Sequence, residues 1–169
     1  MEAMKALLTR RSIRKYKNDP IPQEIIKRLL TSAMAAPSAG DQQPWHFIVI
    51  KDRDILGKIP SFHAYSEMLH EAPLAIAVCG DLDKQIHEGY WVQDCSAATE
   101  NLLLAAHAQG LGAVWLGIFP REKRVQGLKN LLGLPEHVLP LSLVAIGYPA
   151  EQNPPAERFN AERIHYDTW

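Results

Sequence analysis

One domain mixing helices with strands is what this sequence predicts, and three observations carry the expectation. Four apolar runs have strand length, at 45–51, 73–80, 113–118 and 138–146. Three other stretches, 22–33, 92–109 and 120–132, repeat apolar residues at helical spacing. The chain has 169 residues, 47% of them hydrophobic, which suits a single domain over 1–169 with one sizeable core.

The elements follow in order. Residues 4–8 read as a short helix that ends at a basic run. Pro22 suits the first turn of a second helix, whose core face is Ile25, Ile26, Leu29, Leu30 and Ala33. Pro37-Ser38-Ala39-Gly40 breaks it. Residues 45–51 alternate and are rich in β-branched side chains, as in a strand. Residues 73–80 are continuously apolar, as in a strand covered on both faces. The composition of the segment 62–70 fits a mobile loop or short helix. Over 92–109, Val92, Ala97 or Ala98, Leu102, Ala105 and Ala106 share a helix face, and Gly110 terminates it. Residues 113–118 form a strand, Pro120 opens a helix carrying Val125, Leu128, Leu131 and Leu132, and 138–146 form the last strand. Trp45, Trp91 and Trp115 are expected in the core.

Charge is unevenly spread. Between Met1 and Lys17 there are six Lys/Arg against Glu2, +5 in a chain of net charge −1, which leaves −6 for the rest. Arg10, Arg11 and Arg14 crowd guanidinium donors around the Ser12 hydroxyl. Guanidinium forks match phosphate oxygens. A solvated face, a phosphate site and a nucleic-acid arm are all compatible with the run alone. The overall balance lacks the wide basic field of a nucleic-acid binder, so no nucleic-acid partner is expected.

Other patterns narrow the chemistry. Gly110 and Gly112 are not followed by the third glycine of a dinucleotide fingerprint, and neither a P-loop nor a Gly-x-Ser-x-Gly elbow is present. The seven histidines are scattered, and no metal is expected. Cys79 and Cys95 read as reduced, buried thiols. Residues 1–10 lack the apolar centre of a secretory signal, and the apolar stretch 102–119 contains His107 and Gln109, so the expectation is a cytoplasmic protein without a membrane span. A phosphate cluster without an evident catalytic set suits an enzyme whose cofactor carries the reaction. The segment 149–169 is polar and Pro-rich, yet holds Phe159, Ile164, Tyr166 and Trp169. It either wraps its own domain or packs on another subunit.

Three segments together resemble the nitroreductase family. Arg10-Arg11-Ser12-Ile13-Arg14 resembles its first flavin signature, Ala36-Pro37-Ser38-Ala39-Gly40-Asp41-Gln42-Gln43-Pro44-Trp45 its second, and the run from Asn101 to Gly117 its third. The closing Glu162-Arg163-Ile164-His165-Tyr166-Asp167-Thr168-Trp169 is similar to the end of the family's short members. The resemblance implies an α+β fold with a central, mostly antiparallel sheet among helices. It also implies an intertwined homodimer with FMN at the subunit interface, the tail packing on the partner.

By the same resemblance, Arg10, Arg11 and Ser12 would hold the FMN phosphate and ribityl chain, with Arg14 nearby. Arg158 would add a phosphate contact, with Arg163 the runner-up. Pro37, Ser38, Ala39 and Gly40 would be the other subunit's contribution, with Gln43 bonding within that loop and Asp41 standing where the family often has asparagine. Leu116, Gly117 and Ile118 would line the isoalloxazine near N5, with a backbone N–H donating to it. No protein side chain is implied as catalytic. The implied activity is hydride transfer from NADH or NADPH through the flavin to a flat, electron-poor small molecule such as a nitroaromatic or quinone, by ping-pong turnover. A free-flavin reductase and a non-catalytic FMN storage or sensing protein are the alternatives.

Overall fold

The computed structural model describes residues 1–169. Five helices, α1 (Ala3–Thr9), α2 (Gln23–Met34), α3 (Arg53–Lys58), α4 (Trp91–Ala108) and α5 (Glu122–Leu132), surround four strands, β1 (Trp45–Ile50), β2 (Leu74–Asp81), β3 (Gly112–Gly117) and β4 (Val138–Gly147). The strands form one sheet in the order β1-β2-β4-β3, and every pairing is antiparallel. This is the α+β architecture with a central antiparallel sheet.

The apolar run of β2 has a simple cause. Leu74, Ile76 and Val78 face the layer made by α2 and α4, while Ala75, Ala77 and Cys79 face the layer made by α3, α5 and residues 59–72. Both faces are dry, so no polar alternation is needed. Helix α4 lies deepest, burying Trp91, Cys95, Ala98, Leu102 and Ala106. It also buries Thr99, whose hydroxyl donates to Cys95 O (2.7 Å) and meets Ser142 Oγ at 2.9 Å, so the polar atoms are satisfied. Helix α5 begins at Glu122, two residues beyond Pro120, which lies in the preceding turn. Trp45 and Trp91 are buried, whereas Trp115 is only half-buried, on the edge strand β3.

The basic run is fastened to that edge strand and to the residues that follow β4. Ile13 N donates to Ala113 O (3.0 Å), Lys17 N to Tyr148 O (2.8 Å) and Ala150 N to Lys15 O (2.9 Å). Gly112 makes the approach possible, because a Cβ there would lie 2.6 Å from the Ile13 side chain. Buried Tyr16 donates its hydroxyl to Ile13 O (2.5 Å), and burial holds that phenol protonated. The tail bonds to its own domain through Ala150, Glu151, Asn153 and Pro154, whereas beyond them Phe159 is 85%, Tyr166 84% and Trp169 100% exposed. No helix is long and apolar enough to cross a membrane.

Candidate functional site

Arg10, Arg11, Ser12, Arg14, Asn153 and Arg158 line one cavity of about 440 Å³. The turn after α1 supplies the first four and the tail the others. Only Arg10 of the four arginines is ion-paired, with Glu100 (3.3 Å). Arg11 Nη1 donates to Pro154 O (2.5 Å), and Asn153 Nδ2 to Ser12 O (3.1 Å), which ties tail to turn. Glu151 Oε1 accepts from the backbone N–H groups of Arg14 (2.5 Å) and Lys15 (3.2 Å). Arg163 does not line this cavity.

A second cavity, about 420 Å³, shares Arg14 with the first. Its lining includes His63, Tyr65, Trp115, Leu116, Gly117 and Arg124. A Cβ on Gly117 would meet nothing within 4 Å, so its backbone presents an open face. The Gly117 carbonyl accepts from His63 Nε2 (3.1 Å) and Arg124 Nη1 (2.8 Å). Because Tyr65 N donates to His63 Nδ1 (3.3 Å), the ring proton is on Nε2. Burial, then the nearby Arg124 charge, lowers the His63 pKa and keeps the imidazole neutral. Ile118, expected beside Gly117, has its side chain in the core, and its N–H donates to Leu141 O (3.1 Å).

Pro37, Ser38, Ala39, Gly40 and Gln43 line neither cavity. They form a separate loop closing α2, in which Gly40, Asp41 and Gln43 have φ of 54°, 55° and 44°. Glycine suits position 40 because its φ of 54° is one that L side chains rarely adopt, and a Cβ there would also displace the exposed His87 ring, whose Nε2 would lie 2.5 Å away. Gln43 Nε2 donates to exposed Asp41 (2.7 Å), and Gln43 N to Ser38 Oγ (3.1 Å). The loop hangs on buried Asp94 of α4: Oδ1 accepts from Ala39 N (2.9 Å) and Oδ2 from Gln42 Nε2 (2.5 Å). Gln42 Oε1 in turn accepts from Ile86 N (2.9 Å) and His87 N (3.0 Å).

Gln42, His63, Asp94, Arg124, Glu151 and Asn153 were not singled out from the sequence. For Asp94 there was a signal: a carboxylate three residues from Trp91 and four from Ala98 on an apolar helix is buried and must be partnered. His63 and Arg124, far apart in sequence, carry no such mark.

Comparison with known proteins places this geometry among relatives. A model described as the nitroreductase family matches residues 7–62 and 60–148. A Methanothermobacter thermautotrophicus protein, provisionally named NADH dehydrogenase/NAD(P)H nitroreductase, is 50% identical over 169 residues, covering 100% of this chain and 88% of its own. The crystal structure of a protein of the same provisional name from Parabacteroides distasonis superposes with a TM-score of 0.96 at 41% identity, over 99% of this chain and 98% of that one. The structure of a provisionally named nitroreductase in complex with FMN, from Desulfovibrio desulfuricans, gives 0.86 at 29% identity, over 100% and 98%.

Proposed function

Because this chain belongs to the nitroreductase family, we propose that it is an FMN-dependent oxidoreductase that draws on NADH or NADPH and reduces a flat, electron-poor small molecule. The observation that carries this is the gathering of Arg10, Arg11, Ser12, Arg14 and Arg158 around one cavity. Three of those guanidiniums lack a carboxylate in a chain that is acidic elsewhere, so the cavity suits a phosphate monoester. The adjoining cavity, with the bare Gly117 backbone and apolar Trp115 and Leu116, suits a flat ring.

FMN, when bound, supplies the two-electron redox chemistry. The chain binds and orients. Arg10, Arg11 and Arg158 would hold the phosphate and Ser12 the ribityl end, with Arg14, which lines both cavities, nearby. His63 and Arg124 fix the Gly117 carbonyl, and with it the peptide plane at the end of β3. His63 holds its proton on Nε2 and donates it only to that carbonyl, so it is no proton source. For a nitroaromatic acceptor the stoichiometry is one NAD(P)H and one proton consumed, one N–O bond broken, and nitroso product, NAD(P)⁺ and water formed. Solvent supplies the proton. Donor and acceptor use one opening in turn, which gives ping-pong kinetics.

The loop of Pro37, Ser38, Ala39, Gly40 and Gln43 stands apart from both cavities, which fits its serving the site of a second copy. A homodimer also covers the tail aromatics. The test is Arg10→Ala with Arg11→Ala. Each charge-assisted hydrogen bond contributes about 1.5–3 kcal/mol, so FMN retention weakens at least about tenfold with the fold intact. Undiminished FMN affinity in a folded double variant refutes the assignment. Rapid mixing of the parent with NADH or NADPH bleaches the flavin; a yellow solution that stays yellow indicates storage instead.

A further inference from the structure

The second cavity carries more positive charge than a neutral ring requires. Arg14 and Arg124 both line it. Neither is ion-paired. Glu67 is the one carboxylate in the lining; its side chain is 75% exposed and lies 3.7 Å from His70. His63 is not available to bind an anion, since Nε2–H is committed to Gly117 O and Nδ1 to Tyr65 N.

Arg124 is held ready. It rises from the first turn of α5, spends one N–H on Gly117 O (2.8 Å), and lies with its guanidinium carbon 5.7 Å from the Tyr65 ring centroid. A guanidinium has five N–H donors, so most of the fork remains free. Tyr65 is 74% exposed at the mouth, an aromatic surface without protein cover. Apolar lining comes from Ala64, Met68, Trp115 and Leu116. With the flat ring of the cofactor on that apolar lining, the immobilised Arg124 guanidinium and the exposed Tyr65 ring remain beside it, and together they complement a second aromatic ring bearing an anionic substituent.

We propose that Arg124 and Tyr65 form a subsite for the anionic substituent of the acceptor, so that the preferred acceptor is an aromatic carboxylate or similar aromatic anion. The inference rests on the oxidoreductase reading above and narrows its substrate class. The pyridine nucleotide also carries anionic phosphates, and the test separates the two sources.

Benzoate and benzamide are the probes, matched in shape and neither of them an electron acceptor here. Titration calorimetry of the FMN-loaded protein should give benzoate about tenfold tighter binding than benzamide, since a charge-assisted pair outbinds a neutral one. The preference should fall as KCl rises from about 0.05 to about 0.5 M, because a rim charge is screened. Arg124→Gln should bring the two ligands within about twofold, and should lower kcat/KM for 4-nitrobenzoate relative to 4-nitrobenzamide by the same factor. Equal affinities in the parent, or a preference that survives Arg124→Gln, overturns the subsite. Should that variant fail to fold, the salt series on the parent decides, and a preference indifferent to KCl overturns it equally. A rise in KM for NADPH with the benzoate preference intact assigns the charge to the donor and also overturns it. Failure of NADH and NADPH to bleach the flavin sinks the oxidoreductase reading itself, whereas a bleached enzyme that binds both probes alike sinks only the subsite.

Discussion

His63 shows how one side chain links burial, charge and site geometry. It is almost fully buried, both ring nitrogens are engaged, and its pKa is lowered, first by burial and then by Arg124. Protonation would set an N–H against the N–H of Tyr65. The folded pKa lies below the unfolded value of about 6.5, so between the two the unfolded chain binds more protons and stability rises with pH. His107 adds to the same trend, being lowered by burial and then by Arg10, and its Nε2 meets Thr9 Oγ1 at 2.8 Å. Denaturant unfolding should therefore show stability falling as pH drops below about 6.5, with a shallower fall in His63→Gln. Gln keeps a donor for Gly117 O without a titratable ring. An identical pH slope in that variant would mean that His63 is not held neutral by its surroundings. His63→Ala removes the donor and leaves a void, at a cost of about 2–3 kcal/mol.

At the scale of elements, the link between α2 and α4 is a polarity relay. Asp94 only accepts, Gln42 donates with one end and accepts with the other, and the chain ends on the Ile86 and His87 amides. Asp94→Asn points an NH₂ at the Gln42 NH₂. Flipping Gln42 to relieve that clash turns its NH₂ against the two backbone amides instead. A loss of about 2–4 kcal/mol is expected, with poorer FMN retention through the misplaced loop. Asp94→Asn with Gln42→Glu reverses the relay. The side-chain amide introduced on α4 still accepts from Ala39 N, and now donates to the carboxylate introduced in the loop, which accepts at both ends. The double variant should recover at least half of the lost stability, read from thermal unfolding. Recovery no better than Asp94→Asn alone would show the two side chains to be energetically independent.

These elements also show what the sequence disclosed and why. Runs such as β2 and faces such as Ile26, Leu29 and Ala33 of α2 were legible because burial imposes a period on neighbouring residues. The basic cluster around the first cavity was legible because four of its groups fall within five residues, Arg10 to Arg14. Helix α3 was not, since six residues make too short a repeat, although Asp52 caps it by accepting from Asp54 N and Ile55 N. The Gln42–Asp94 relay and the His63–Gly117–Arg124 cluster were not, because each joins residues more than fifty positions apart. Only the folded chain brings them together.

The whole molecule ends in a segment that bonds to its own body only at its start, through Ala150, Glu151, Asn153 and Pro154. Beyond Pro149 the side chains of Phe159, Tyr166 and Trp169 stand in solvent, and Trp169 stacks only on His165 (4.3 Å between ring centroids). The face of α1 adds exposed Met4, Leu7 and Leu8. This bare apolar surface is what the second subunit of the proposed homodimer would cover. The tail has two separable tasks. Asn153 and Arg158 line the cavity proposed for the phosphate, whereas Ile164, Tyr166 and Trp169 do not. Deleting 164–169 should therefore spare FMN binding and loosen the proposed homodimer. Large apolar side chains contribute about 1.5–3 kcal/mol each when fully buried, and two tails are lost per dimer, so the dissociation constant should rise at least about a hundredfold. Sedimentation over a concentration series reads the dimer, and the visible flavin spectrum reads the cradle. Deletion after Tyr148 should damage both. A shortened chain that sediments as the parent does, with its flavin in place, would mean that these aromatics do not hold two subunits together.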